Sequence, residues 1–491
     1  MTATGHNRPR VGTIEHSAGY RTIAELGART SPPDRERVRV STSTPAADPP
    51  AATRSQRLVG AAKANVPEGT YAIGGGLLIA ALTAYGFQIL ADRQLDETQY
   101  KAVNNLWFLI FIVAPGFFQP LEAEVARAIA ARRTRGVGGG PVVRKAARLG
   151  AILAACVALV ALAASPSWLV PEYFEGEVTL LICLLVALAT YYTAHLTRGA
   201  LSGNKRFGPY GLMYASEGIL RIAFVVVVVV IGLNSPGWFA LALVVPPALS
   251  VLISLQGQRG LLMPGPDAPY SELSTALTLL LVGTALAQAL SYAPAVAASL
   301  LLDNDRAAAG FITGMFIARI PMLMFQAVQA ALLPKLSTYA ASGQHADFRA
   351  GLRKLLVVVL GVALIGTIGA ATVGPSVGRI LFDKWTLGNR DLALLAGGAG
   401  GFILALTLAQ GLIALRGYRQ VATAWVIGIA VFLGLMPIAG HDVVLRVQLA
   451  FITACWTTAA VVTTLLILRM RVATATLEDL VGVVEHEPLE L

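Results

Sequence analysis

About twelve apolar runs in succession, each near the ~20 residues a helix needs to cross the hydrocarbon of a bilayer, constrain this chain more than any other feature. They lie near residues 71–91, 104–126, 148–168, 177–197, 211–233, 237–256, 274–301, 307–331, 354–376, 389–414, 421–439 and 446–468. Backbone in lipid must satisfy its own polar groups, so only helices and closed barrels span membranes. A barrel would alternate apolar and polar residues in segments of about ten, whereas these runs are continuous. Only 13% of the 491 residues are charged and 55% are hydrophobic, against roughly 25% charged in a soluble chain. The expected fold class is an all-α integral membrane protein, which excludes a soluble enzyme, a secreted disulfide scaffold and a disordered chain. Cys156, Cys183 and Cys455 each fall inside an apolar run and read as buried small hydrophobes, without disulfide or metal-site spacing. The run Val225–Val230 reads as lipid-facing.

Residues 1–69 are different in kind. They are rich in Arg, Pro, Ser, Thr and Ala, and hold no apolar run long enough for a signal peptide. Such a segment buries too little apolar surface to offset its chain entropy, so a disordered tail is expected. Partner docking, contact with anionic lipid and phosphorylation are its open roles, beside that of a solvated tail. The net charge of +10 is informative once divided among the loops. Alternate loops and the tail hold about 29 Lys and Arg on one side of the membrane against about 7 on the other, which makes the rich side cytoplasmic. Both termini are then cytoplasmic, including a short C-terminal tail at 471–491. The outer loops are short and acidic, with Glu172, Glu175, Glu177, Asp303 and Asp305, too short for an extracellular domain or for sugar chemistry on large loops.

An internal repeat follows from one register. An offset of 207 superposes Phe118-Gln119 on Phe325-Gln326 and Tyr85 on Tyr292, and it brings the basic loop ending at Arg148 near Lys354. Spans 1–3 thus align with 7–9, which predicts a lobe over 70–257 and a second over 258–470. Six spans per lobe keep the same orientation, so the repeat is parallel with its axis along the membrane normal. Two lobes rocking about a central cavity would give alternating access.

Charges within hydrocarbon are costly and normally face a bundle interior or a cavity. Glu217 and Arg221 stand one turn apart on the fifth span, on one helix face. The pair either locks helices together or supplies a cavity arginine for a phosphate, with Glu217 as its partner or as a proton carrier. Arg319 sits near mid-membrane on the eighth span with no carboxylate within one turn, and reads as a free anion site. Glu122 and Glu124, near the cytoplasmic end of the second span, read as solvated interfacial carboxylates. Gln88, Gln119, Gln288, Gln326 and Gln329 suit hydrogen bonds to sugar hydroxyls or to neighbouring helices. Pro294 should kink the seventh span, and Gly86 lies at comparable depth in the first, so both are gating candidates. The Gly397–Gly401 run suits close helix packing. There is no Walker motif, HExxH, CxxC or nucleophile constellation, so neither an enzyme nor a cofactor or metal protein is expected.

The chain resembles the multidrug/oligosaccharidyl-lipid/polysaccharide (MOP) exporter superfamily, and within it the polysaccharide-biosynthesis, Wzx-type branch. The stretches that carry the likeness are Gly86-Phe87-Gln88-Ile89-Leu90-Ala91, Pro120-Leu121-Glu122-Ala123-Glu124-Val125-Ala126-Arg127 and Leu333-Pro334-Lys335-Leu336-Ser337. Similar texture covers 70–470, with the N-terminal tail outside it. The resemblance implies flipping of an undecaprenyl-pyrophosphate-linked oligosaccharide from the cytoplasmic to the outer leaflet, through a cationic cavity and often with ion coupling. It also implies membrane lipid, a polysaccharide polymerase and glycosyltransferases as partners, and no nucleic acid. Arg221 and Arg319 fit that chemistry. Lipid II flippases of the superfamily carry more arginines in their early spans, and its drug exporters a carboxylate in the first. Here the first span has no arginine before Arg93, and its first acid is Asp92 at the outer end. A drug or metabolite exporter, a lipid II flippase and a non-transporting scaffold are the alternatives.

Overall fold

A computed structural model describes residues 69–273, 277–322, 339, 342, 344–438 and 442–486. Among them the chain is helical with no strand. In chain order the helices are α1 (Thr70–Gln94), α2 (Glu97–Val113), α3 (Gln119–Thr134), α4 (Gly140–Ala164), α5 (Val178–Gly203), α6 (Phe207–Ile231) and α7 (Pro236–Leu255). There follow α8 (Leu277–Leu301), α9 (Asp305–Ala318), α10 (His345–Thr372), α11 (Gly374–Leu381), α12 (Asn389–Ala414), α13 (Tyr418–Leu435) and α14 (Val443–His486). Eleven helical stretches are long and apolar enough to cross a membrane. The expected eighth span begins as α9 and turns at Arg319, and residues 323–338 lie outside the described set. The molecule is a multi-pass membrane protein.

Local chemistry sets several boundaries. Asp96 caps α2 by accepting from the Gln99 N–H, and Gln99 completes a capping box. Asn304 caps α9 through the Ala307 N–H. Gly232 closes α6 in the left-handed region. The second span is one 38-residue stretch, Glu97–Thr134, about 57 Å at ~1.5 Å per residue and well beyond the ~30 Å of hydrocarbon. It is interrupted by a π turn at Ala114–Phe118, where Pro115 and Pro120 remove backbone donors. The far end of α3 therefore emerges with Arg132, Arg133 and Arg135 at the basic end of the bundle.

In the first half α1 packs on α6, α6 on α7, α3 on α5 and α5 on α7; in the second α10 packs on α12, and α12 and α13 on α14. The α1–α6 contact is close enough that a Cβ at Gly76 or Gly211 would strike the facing backbone. The halves meet where α2 faces α8 and α9. Thr98 at the start of α2 hydrogen-bonds Asp305 at the start of α9, and these positions are 207 apart.

The valine run is not wholly lipid-facing. Val226, Val227 and Val230 are exposed, but Val225 and Val228, three apart, are buried in the core. Cys183 and Cys455 are buried as expected, whereas Cys156 is on the outside of α4. Residues 258–273, assigned from sequence to the start of the second lobe, are strapped to the first. Gly140 N–H donates to Met263 O, and Arg206 holds Gln258 and Arg259 O. Arg132 grips the carbonyls of Gly138, Pro266 and Asp267 and the carboxylate of Glu272.

Candidate substrate cleft

The first half contains a buried ionic network built from three helices. On α6 the residues Tyr210, Tyr214, Glu217 and Arg221 recur at spacings of four, three and four, so they share one face. Tyr191, His195 and Arg198 do the same on α5. Glu122 at the start of α3 meets both sets. Its Oε2 lies 2.8 Å from His195 Nδ1 and 3.3 Å from Arg198 Nε, and its Oε1 accepts from Tyr210 Oη at 2.8 Å. Arg198 stands 3.7 Å from Glu217, which accepts from Arg221 at 2.7 Å and from Tyr191 Oη at 3.4 Å. The Arg198 guanidinium also covers the Tyr214 ring at 4.6 Å. Gly199 allows the approach, since a Cβ there would meet Glu122 O at 2.7 Å. With His195 neutral, two carboxylates face two guanidiniums and the network carries no net charge, which offsets part of the cost of burying each ion.

Two expectations are corrected here. Glu122 and Glu124 are not solvated interfacial carboxylates, because both are buried. Glu124 also pairs with Arg127. Arg198, one residue past the apolar run at 177–197 and so expected among the loop cations, is inside the bundle, because α5 continues to Gly203. His195 was missed entirely. The helical spacing of polar residues along α5 and α6 is the signal that would have found this network. Glu217 and Arg221 do form the ion pair their spacing suggested.

An aromatic wall separates this network from the second half. Arg221 lies 5.7 Å from the Trp107 ring of α2. Trp107 stacks on Phe111 and meets Phe316 of α9 edge-on, while Phe108 contacts both Phe316 and Tyr292. Beyond them Arg319 stacks 4.0 Å from the Tyr292 ring, and its Nη2 donates to Ser291 Oγ at 2.7 Å. Tyr85 of α1 lies within electrostatic reach of Arg319 and Tyr292, and its hydroxyl donates to Phe316 O at 2.8 Å. The two tyrosines related by the sequence offset thus flank the same arginine. Arg319 is only half-buried, and among the described residues no carboxylate pairs with it. Among the described residues this guanidinium donates to Ser291 and approaches the Met322 sulfur but meets no carboxylate; held flat on an aromatic ring at the boundary of the halves, it can take an anion.

The remaining candidates divide. Gln88 is fully buried; its Oε1 accepts from Tyr100 at 3.3 Å and its Nε2 has no partner. Gln288 is half-buried on α8. Gln326, Gln329 and the stretch 333–337 lie outside the described residues. Gly86 faces Ile222 of α6, where a Cβ would sit 2.9 Å from its Cδ1. Pro294 is buried inside an uninterrupted α8. Among the described residues no group of His, Cys, Asp or Glu is arranged to hold a metal ion.

No family model matches this chain. It is similar to an uncharacterized protein of Mycobacterium tuberculosis, 27% identical over 364 residues, which covers 72% of this chain and 81% of that one. It is also similar to an uncharacterized protein of Mycobacterium bovis, 20% identical over 387 residues, covering 75% and 85%. Among solved structures it shares a fold with a multidrug resistance MATE family transporter of the MOP superfamily. The inward-facing form aligns with a TM-score of 0.63 at 14% identity over 82% of this chain and 96% of that one. The outward-facing form aligns with a TM-score of 0.65 at 13% identity over 83% and 96%. A MOP superfamily transporter from Pyrococcus furiosus, described as having a binding pocket of reversed polarity that suggests a different function, aligns with a TM-score of 0.61 at 13% identity over 83% and 96%.

Proposed function

We propose that this protein is a membrane exporter, and specifically a flippase that carries an undecaprenyl-pyrophosphate-linked oligosaccharide across the cytoplasmic membrane by alternating access. Arg319 carries the reading. It is a cation that meets no carboxylate among the described residues, on an aromatic ring, between the two halves of the bundle. A pyrophosphate matches its charge and planar donor array. Phe111 and Phe316, only partly buried against the buried Trp107 and Phe108, would give apolar contact to sugar rings or to the polyprenyl chain, in the manner of ligand sites that combine apolar walls with few polar anchors. Arg221 lies behind Trp107 but is paired with Glu217, so the anion contact is assigned to Arg319 alone. Gln88 and Gln288 are candidate contacts to hydroxyls, and Pro294 and Gly86 are candidate flexing points. The basic end of the bundle faces the cytoplasm by the positive-inside rule, which places both termini inside. The proposed lobes are 70–257 and 258–470, with the 258–273 strap lying against the first. A polymerase and glycosyltransferases would supply and consume such a substrate.

A second reading, a drug or metabolite exporter, is favoured by the multidrug description of the neighbours with this fold. Deletion of the gene separates them. The flippase reading expects lipid-linked oligosaccharide to accumulate in the inner leaflet with drug susceptibility unchanged. Raised drug susceptibility with no accumulated lipid-linked sugar would overturn it in favour of the second.

A further inference from the structure

At the acidic end of the bundle the two halves are tied by ion pairs as well as hydrogen bonds, whereas at the aromatic wall the Tyr85–Phe316 hydrogen bond joins them. Lys101 of α2 is buried, yet its ammonium reaches two carboxylates: Glu175 of its own half at 2.7 Å and Asp305 of the other at 2.5 Å. Asp305 also accepts from Thr98 Oγ1 at 2.5 Å. Arg306 pairs with Glu97 at 3.2 Å on the exposed rim. On the neighbouring edge the buried Asp92 accepts from the backbone N–H groups of Asp383 and Lys384, at 2.5 and 3.3 Å. Lys384 returns its ammonium to Asp92 O and lies 5.5 Å from the Tyr100 ring. Arg93 donates to Ile380 O at 2.9 Å. Each of these bonds except Lys101–Glu175 joins a residue before 257 to one after 277.

We propose that this set is the outer gate of the cleft, with Lys101 as its central pin and Asp92 as the latch on the 382–384 segment. A cation shared by two carboxylates holds the gate through paired charges. Once it is removed, Glu175 and Asp305 face each other uncompensated and repel. Such a seal suits a gate better than apolar packing would, because each half can exchange its partners for water when the ends part. The gate rests on the transport reading only in supposing that the cleft opens to the outside.

Impermeant thiol labelling tests it on the full-length protein in intact cells, with Cys156, Cys183 and Cys455 replaced by alanine. The probe is a membrane-impermeant maleimide, and the reporter is Ser291→Cys, beside Arg319 beneath the gate. Lys101→Met should raise the labelling rate from outside about tenfold or more, as the closed state loses its bias. Thr98→Cys with Asp305→Cys, whose side chains now touch, should form a disulfide on oxidation that suppresses labelling, and a reductant should restore it. That reversal distinguishes a working gate from a misfolded variant. Labelling equal with and without Lys101, or unaffected by the disulfide, would overturn the proposal. A normal oligosaccharide phenotype beside gated labelling would instead sink the substrate reading and leave the gate standing.

Discussion

Arg198→Met is the most informative perturbation of the buried network. Arg198 is about 3% exposed and lies 3.3 Å from Glu122 and 3.7 Å from Glu217. At an effective dielectric near 20, charges at these separations attract by about 4–5 kcal/mol each before desolvation. Methionine fills much of the space but leaves two buried carboxylates facing Arg221 and His195. Removing one partner from a buried ionic group costs about 3–5 kcal/mol, because the remaining charge is uncompensated. The assay is equilibrium unfolding in mixed detergent micelles titrated with SDS, referenced to the unaltered chain. Adding Glu122→Gln in the same chain should recover much of the loss, since it removes the uncompensated charge, and the cycle isolates the coupling. An Arg198→Met variant within about 0.5 kcal/mol of the original chain, at the level of ordinary surface substitutions, would refute the network. So would a double variant that merely adds the two losses.

Exchanging Glu217 and Arg221 should destabilise the protein, although the pair itself is conserved in reverse. It would set a guanidinium against Arg198, and a swap as stable as the original in the same titration would contradict this. The strap at the basic end has a pH signature. The Arg132 guanidinium beside Glu272, and the Lys145 ammonium beside Asp267, hold both carboxyls below their usual range. Carboxyls with depressed pKa values stabilise the folded state above their unfolded values of about 4 and lose that contribution as pH falls through the folded values. Amide exchange over 258–273, corrected for its intrinsic pH dependence, should therefore be flat from pH 5 to 8 and rise only below about pH 4. A rise between pH 6 and 7 would contradict it. Arg132→Met should release the strap at neutral pH, read as increased proteolysis of 258–273.

The spans found among the described residues were legible because hydrocarbon thickness fixes their length. The contact between Thr98 and Asp305 also spans 207 positions. Arg319 and the Glu217–Arg221 pair stood out because charges are rare within apolar runs. What could not be read was partnership across helices. Lys101 and Asp305 look like ordinary loop charges in sequence, and only the approach of α2 to α9 makes them a pair. Hydropathy ends the fourth span just before Arg198, while its two carboxylates keep it inside. Glu122 seemed interfacial for the same reason.

The most direct test of the central claim is flipping of a fluorescent undecaprenyl-pyrophosphate-linked oligosaccharide by the purified chain in proteoliposomes, with Arg319 and with Arg319→Ala. Loss of a charge-assisted contact worth about 1.5–3 kcal/mol should slow flipping roughly 10- to 100-fold. Arg319→Lys should fall between the two, because it keeps the charge but not the planar fork. Equal rates with Arg319 and Arg319→Ala would contradict the account.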